Sequence, residues 1–346
     1  AGLLGLDVLP PSIALALPVG ISFWTFQTIA YLVDVARGTA GAERDPPRYA
    51  LFIAFFGHVT SGPIARAGQL LPQLAGKRRF SFEHLRSGLL LMGWGFFKKL
   101  LVADPLGVIV GRVFGDPRAF GDSGAVLAFA ALAFAVQIYF DFSGYTDIVR
   151  GSARLFGIRL MPNFLRPYAA TSIKDFWRRW HMTLMSWLRD YIYIPLGGSR
   201  VSRRRRYANI VAVFAISGIW HGAGLTFLVW GLLNAAYQIA GEFLAPVRER
   251  LAAALGMQPD SRTRNALRIM TTFALTTVAW VFFRAGSLGD AGFILARILT
   301  PSAWAGAQAS LTGLGLGAPQ LALALGAAAF AFAVEGLGSR TDLPAF

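Results

Sequence analysis

The sequence predicts an all-α protein, a polytopic transmembrane helical bundle with re-entrant or interfacial amphipathic helices, forming one membrane-embedded domain over residues 1–346. Three observations predict it. Of the 346 residues, 55% are hydrophobic and only 15% charged, against about 25% charged in ordinary soluble domains. Apolar runs near the roughly 20 residues needed to cross a bilayer as a helix recur along the chain, and mean hydropathy is +0.51. No internal repeat is visible, so one continuous domain is the simplest division. The absence of Cys excludes a disulfide-stapled fold, thiolate nucleophiles, an acyl-cysteine intermediate and Cys-based metal sites within these residues.

Runs bounded by charge, Pro or Gly place candidate spans near 12–33, 49–66, 85–110, 124–148, 207–243, 266–284 and 319–337. Residues 37–48 and 244–265 are polar enough to read as loops. The stretch 302–318 is rich in Gly and Ala with Trp304, and the C-terminal span follows it. The run 207–243 is too long for one straight span and carries Ser217, Gly218, Gly222 and Gly224 in its middle, which predicts a broken or re-entrant helix. A break at membrane depth is tolerated only where protein or a water-filled cavity satisfies the freed backbone groups, so this place is a candidate site on physical grounds. Residues 174–191 read as an amphipathic helix. Trp177, Trp180, His181, Leu184, Leu188 and Tyr191 share one face at 100° per residue, with Arg178, Arg179, Ser186, Arg189 and Asp190 opposite. Such a helix lies at the membrane interface or caps a cavity; Pro195, Gly197 and Gly198 end it.

Lys and Arg number 33 against 18 acids, a formal charge of +15. The basic residues concentrate between apolar spans, as the positive-inside bias and contact with anionic membrane lipids require. Lys77, Arg78 and Arg79 precede one span and Arg150, Arg154, Arg159 and Arg166 follow the next, whereas the loop between carries Asp116, Arg118 and Asp122. Both basic ends are expected to face the cytoplasm. Nucleic acid is not an expected partner, because the densest run, Arg203 to Arg206, has no aromatic stacking platform around it. The chain begins with Ala1, and earlier spans are expected to precede it.

Two of the four histidines are unusually placed. His221 stands in GIWHGAG between apolar residues, and an ionisable residue within the membrane is a functional candidate by default. Neutral imidazole can accept a proton from a hydroxyl nucleophile; the alternative is a buried His bonded to a backbone carbonyl. His181 lies on the Trp-bearing face, where spacing alone favours interfacial anchoring. His58 and His84 read as structural. Asp141 and Asp147, in QIYFDFSGYTDI, must pair if buried, and a structural Arg or Tyr partner is the favoured reading for Asp141 over a proton path or an orienting role. No metal-ligand spacing, Walker loop, dinucleotide fingerprint or nucleophile elbow is present, and no permanently bound cofactor or metal is expected.

DFWRRWHMTLMSWLRDYIYIPLGGSR, QIYFDFSGYTDI, GISFWTFQTIAYLVDVARG and GIWHGAGLTFLVWGLLNA together resemble the membrane-bound O-acyltransferase (MBOAT) family, in its alginate O-acetyltransferase branch, over about residues 18–300. The resemblance implies the MBOAT fold, a catalytic His221, and a second site histidine at His181. It also implies transfer of an acyl group, acetyl in this branch, onto hydroxyls of a polysaccharide or other envelope acceptor. Acetyl-CoA is the implied cytoplasmic donor, and extracytoplasmic acetylation proteins are implied partners, in a multi-pass protein of the bacterial inner membrane. Trp177, Trp180, Arg178, Arg179, Arg189, Asp190, Trp220, Asp141 and Asn234 are candidate substrate- or donor-binding residues. The basic face with Arg178, Arg179 and Arg189, and Arg200 to Arg206, could hold donor phosphates, lipid contact being the alternative for Arg203 to Arg206. Trp220 N–H, His181 or backbone N–H groups near Gly222 are candidate oxyanion donors. Two rival readings stand beside this one: a secondary transporter with Asp141, Asp147 and His221 as a proton relay, and a catalytically silent scaffold.

Overall fold

The computed structural model describes residues 20–58, 61–77, 79–258, 261–304 and 311–337, and their regular structure is helical. Residues 12–19 of the expected first span, and Arg78, lie outside the described residues. The α-helices run in the order α1 (Ile21–Ala36), α2 (Pro46–Ile53), α3 (Ala67–Ala75), α4 (Phe82–Phe97), α5 (Asp104–Gly115), α6 (Gly124–Leu155), α7 (Ile173–Arg179), α8 (Met182–Leu188), α9 (Arg203–His221), α10 (Leu225–Phe243), α11 (Ala245–Ala254), α12 (Arg262–Arg284), α13 (Leu288–Leu299) and α14 (Ala318–Leu337). Of these, α6, α12 and α14 are long and apolar enough to cross a membrane.

α4 and α5 join through a π-helical turn, Lys98–Ala103, into one rod that packs antiparallel on α6. Glycines make the approach possible. A Cβ at Gly95 would lie 2.6 Å from the Gly144 carbonyl oxygen, and one at Gly151 2.6 Å from that of Gly88. With no side chain between them the backbones meet directly, the packing by which helices associate in lipid. Ser81 and Ser123 cap α4 and α6 by accepting from the backbone N–H of His84 and Val126.

Gln73 exchanges hydrogen bonds with the backbone of Arg159, donating to its oxygen at 3.1 Å and accepting from its nitrogen at 2.8 Å. The segment before α4 and the segment after α6 thus meet at one end of the bundle, the basic end. The 116–123 loop lies at the opposite end, where Arg118 pairs with Asp290 of α13.

Several elements depart from the sequence expectation. The 49–66 run is not a span: α2 stops at Ile53, and a Cβ at Gly62 would lie only 1.8 Å from the Gly57 oxygen, so the chain turns back where hydropathy alone predicts continuation. The polar 244–265 segment contains α11, which buries none of its residues. α3 and the short α13 were not expected, because neither is long enough to register as a span. Residues 174–191 are not one helix but two, α7 and α8, broken at Trp180 and His181. The expected inner face nevertheless stays inward, with Trp177, Trp180, His181, Leu184 and Leu188 all buried.

Candidate active site

The expected break in 207–243 falls at residues 222–224, and the two halves fold back as the hairpin α9–α10. Glycines again set the distance: a Cβ at Gly231 would lie 2.3 Å from the Phe214 oxygen, and one at Gly218 2.5 Å from that of Phe227. Arg206 and Glu242 pair at 2.6 Å across its open end. His221, the last residue of α9, is at the closed tip, about 22 Å along the helix from Arg206 at 1.5 Å per residue.

Aromatic rings surround His221. Its ring centroid is 4.6 Å from that of Trp220, 5.1 Å from Trp230 and 5.1 Å from Phe283. One side stays open onto a recess of ≈ 300 Å³ lined by Gly20, Ile21, Ser22, Phe23, Trp220 and His221. No hydrogen bond engages the His221 ring among the described residues. His58 is fully buried, with Nε2 3.3 Å from the Ile53 oxygen and Nδ1 without a hydrogen-bond partner among the described residues.

His181 is buried at the N-cap of α8 with φ 44° and ψ 51°, a left-handed conformation that His adopts more readily than most non-glycine residues. Polar contacts on both sides hold the turn. Met182 N–H donates to the Asn163 carbonyl at 2.9 Å, the Thr183 hydroxyl donates to Asn163 Oδ1 at 2.6 Å, and Ile64 N–H donates to that hydroxyl at 3.1 Å. Phe142 packs edge-on against the imidazole at 4.7 Å. Nδ1 of His181 and Nε1 of Trp220 are both buried without a hydrogen-bond partner among the described residues. The two histidines are near enough to interact electrostatically, and a file of rings runs between their surroundings, Trp180 tilted on Trp280 at 4.9 Å, Trp280 stacked on Trp230 at 5.9 Å and Trp230 edge-on to His221 at 5.1 Å.

The remaining sequence candidates divide. Trp177 and Asn234 meet, Nε1 donating to Oδ1 at 3.1 Å, while the Asn234 amide donates to the backbone carbonyl of Trp230, one turn earlier on α10, at 2.8 Å. Arg178 is exposed, and Arg179 pairs with Asp175 at 3.1 Å. Arg189 and Asp190 pair with each other at 2.7 Å, and Asp190 also takes Arg66 at 3.2 Å, in a cluster around Tyr191 and away from the rings of His221. Among the described residues Asp141 has neither the Arg nor the Tyr partner expected for it: Lys99 pairs with it at 2.6 Å, because the π-turn brings that lysine onto α6. Trp230, Trp280, Phe283, Phe142 and Asn163 also build the site and were not anticipated. Their periodicity marks them only as core, although the paired lysines of FFKKLL, ionisable groups inside an apolar run, were a signal available in the sequence.

A family model described as MBOAT, membrane-bound O-acyltransferase family, matches residues 19–285. The chain is 38% identical over 303 residues to the probable alginate O-acetylase AlgI of Pseudomonas fluorescens, covering 86% of this chain and 58% of that protein. It is 36% identical to the peptidoglycan O-acetyltransferase of Helicobacter pylori, covering 80% of this chain and 56% of that protein. The teichoic acid D-alanyltransferase of Bacillus subtilis is 26% identical over 274 residues, covering 77% and 68%. The chain thus spans less than two thirds of the length of the alginate O-acetylases it is similar to.

Proposed function

Because the chain belongs to the membrane-bound O-acyltransferase family, we propose that it transfers an acyl group, acetyl by preference, from a cytoplasmic acyl-CoA donor to hydroxyls of an extracytoplasmic polysaccharide or other envelope acceptor. The observation that carries this reading is the placement of His221: an imidazole with no hydrogen bond among the described residues, on a glycine-tightened hairpin tip, open to a recess and walled by four aromatic rings. Its nitrogen takes the proton of the acceptor hydroxyl as the oxygen bonds to the thioester carbonyl carbon. The carbon–sulfur bond then breaks, the proton passes to the leaving thiolate, and an O-ester and free CoA result. In this reading the Nε1–H of Trp220 and His181 Nδ1, both without a hydrogen-bond partner among the described residues, meet the developing oxyanion charge. The basic end faces the cytoplasm and the tip of α9 the far leaflet of the bacterial inner membrane, with a partner protein completing delivery to the acceptor.

The ion pairs weigh against a proton-relay transporter, since Asp141 and Asp147 are each held by a lysine and neither contacts His221 among the described residues. The test is label transfer from labelled acetyl-CoA by membranes carrying the full chain, native against His221→Ala at matched protein level. General-base assistance contributes about 10²- to 10⁴-fold, so His221→Ala should lower transfer by at least the smaller of these. Robust transfer that the substitution leaves unchanged overturns the assignment, and transfer of labelled D-alanine instead would keep the site and change the acyl group.

A further inference from the structure

We propose that the outer face of the α9–α10 hairpin binds an anionic phospholipid, one acyl chain lying in a groove between the helices and the headgroup phosphate held by Arg203 and Arg204. The groove has a volume of ≈ 570 Å³ and is lined by Val211, Leu232, Ala236, Ile239, Ala240, Phe243 and Leu244, all apolar. Space exists because Ala236 and Ala240 are small. From Leu232 to Leu244 the groove follows α10 for about 18 Å at 1.5 Å per residue, a length suited to an extended acyl chain. It lies in the basic half of the hairpin, remote from the recess at His221.

The cationic mouth is what selects the occupant. The Arg203 guanidinium sits 4.6 Å from the centroid of Phe243, a groove-lining ring, and its Nε donates to the Tyr207 hydroxyl at 3.0 Å. That bond leaves its two terminal nitrogens without an acceptor among the described residues. Arg204, seven positions before Val211, lies within about 20° of it round the helix and so stands above the same groove. Arg204 is exposed and forms no ion pair among the described residues, whereas Arg206 is already paired with Glu242. No acidic side chain stands in the first turn of α9 to offset these charges. An apolar channel ending beneath two guanidiniums with free donors matches a phosphodiester carrying an acyl tail, and the two positive charges favour a net-anionic headgroup over a zwitterionic one, whose own cation they repel.

The test is native mass spectrometry of the full chain in detergent, titrated with phosphatidylglycerol and, separately, phosphatidylcholine of the same chains. One phosphatidylglycerol should be retained in preference to phosphatidylcholine. Arg203→Gln and Arg204→Gln should each weaken it about fivefold, the worth of one basic side chain at an anionic surface. Ala240→Phe, on an exposed position, should fill the groove and abolish retention of either lipid while leaving the fold and label transfer intact. Equal retention of the two lipids, or phosphatidylglycerol retained undiminished by Ala240→Phe, overturns the proposal; so does binding that no lipid titration changes, which would mean that another protein segment covers the groove.

Discussion

His181 combines two features, a backbone that turns the chain between α7 and α8 in the left-handed region and a buried imidazole whose Nδ1 has no hydrogen-bond partner among the described residues. Substitution can separate them. Asn tolerates this backbone region and a β-branched residue does not, so His181→Asn should melt as the native protein does, whereas His181→Val should be destabilised by about 1–3 kcal/mol. Both should lose label transfer; full activity in His181→Asn would mean that the residue serves the turn alone. Trp220→Phe is the complementary change, keeping the ring against His221 and removing the Nε1–H. A loss of at least about 10²-fold in turnover with little change in thermal stability is expected if that group meets the oxyanion, and an unchanged rate would leave it a packing role.

At the scale of elements, two helix pairs depend on glycine, and the hairpin carrying His221 is the tighter. Gly231→Ala places a Cβ against the Phe214 carbonyl oxygen, where backbone rather than a flexible side chain must give way. It should cost about 1–3 kcal/mol and displace His221, so both the melting temperature and transfer should fall. At the N-terminus of α13, the Ser287 hydroxyl and then Arg118 hold the carboxyl of Asp290 below its ordinary value of 3.8. A carboxylate lowered in the folded state stabilises above its unfolded pKa and loses that contribution as pH falls through the lowered folded value. Attachment of α13 should therefore be constant near neutrality and weaken only below about pH 4. Hydrogen exchange over 288–299 against pH checks this, and Asp290→Asn should remove the acid step.

For the whole molecule, the buried charges near the middle of α6 join the bundle's parts. Lys98 is 3% exposed, pairs with Asp147 at 2.5 Å and interacts electrostatically with Glu335 of α14, whose carboxylate also accepts from the Tyr139 hydroxyl at 2.8 Å. Arg150 completes the group at 3.1 Å from Asp147. Removing one member of such a set leaves an uncompensated buried charge, a loss of about 3–5 kcal/mol. Lys98→Met should therefore lower the thermal midpoint sharply, and adding Glu335→Gln should restore part of it. If Lys98→Met melts like the native protein, the network does not hold α14 in place.

The helical class, the break inside 207–243, the inward face of 174–191 and the prominence of His221 were all legible in the chain, because hydropathy, helical period and glycine placement are local properties that no partner is needed to define. The end of the 49–66 run, the division of 174–191 at His181 and the Lys99 partner of Asp141 were not. Each depends on what a distant segment supplies: Asn163 and Ile64 hold the turn at His181, and a π-turn carries Lys98 and Lys99 onto α6. The sequence by itself determined which residues are able to do chemistry in a membrane. Only the tertiary structure decided which of them are already paired by a neighbour's charge or carbonyl and which, like the imidazole of His221, have no hydrogen bond among the described residues.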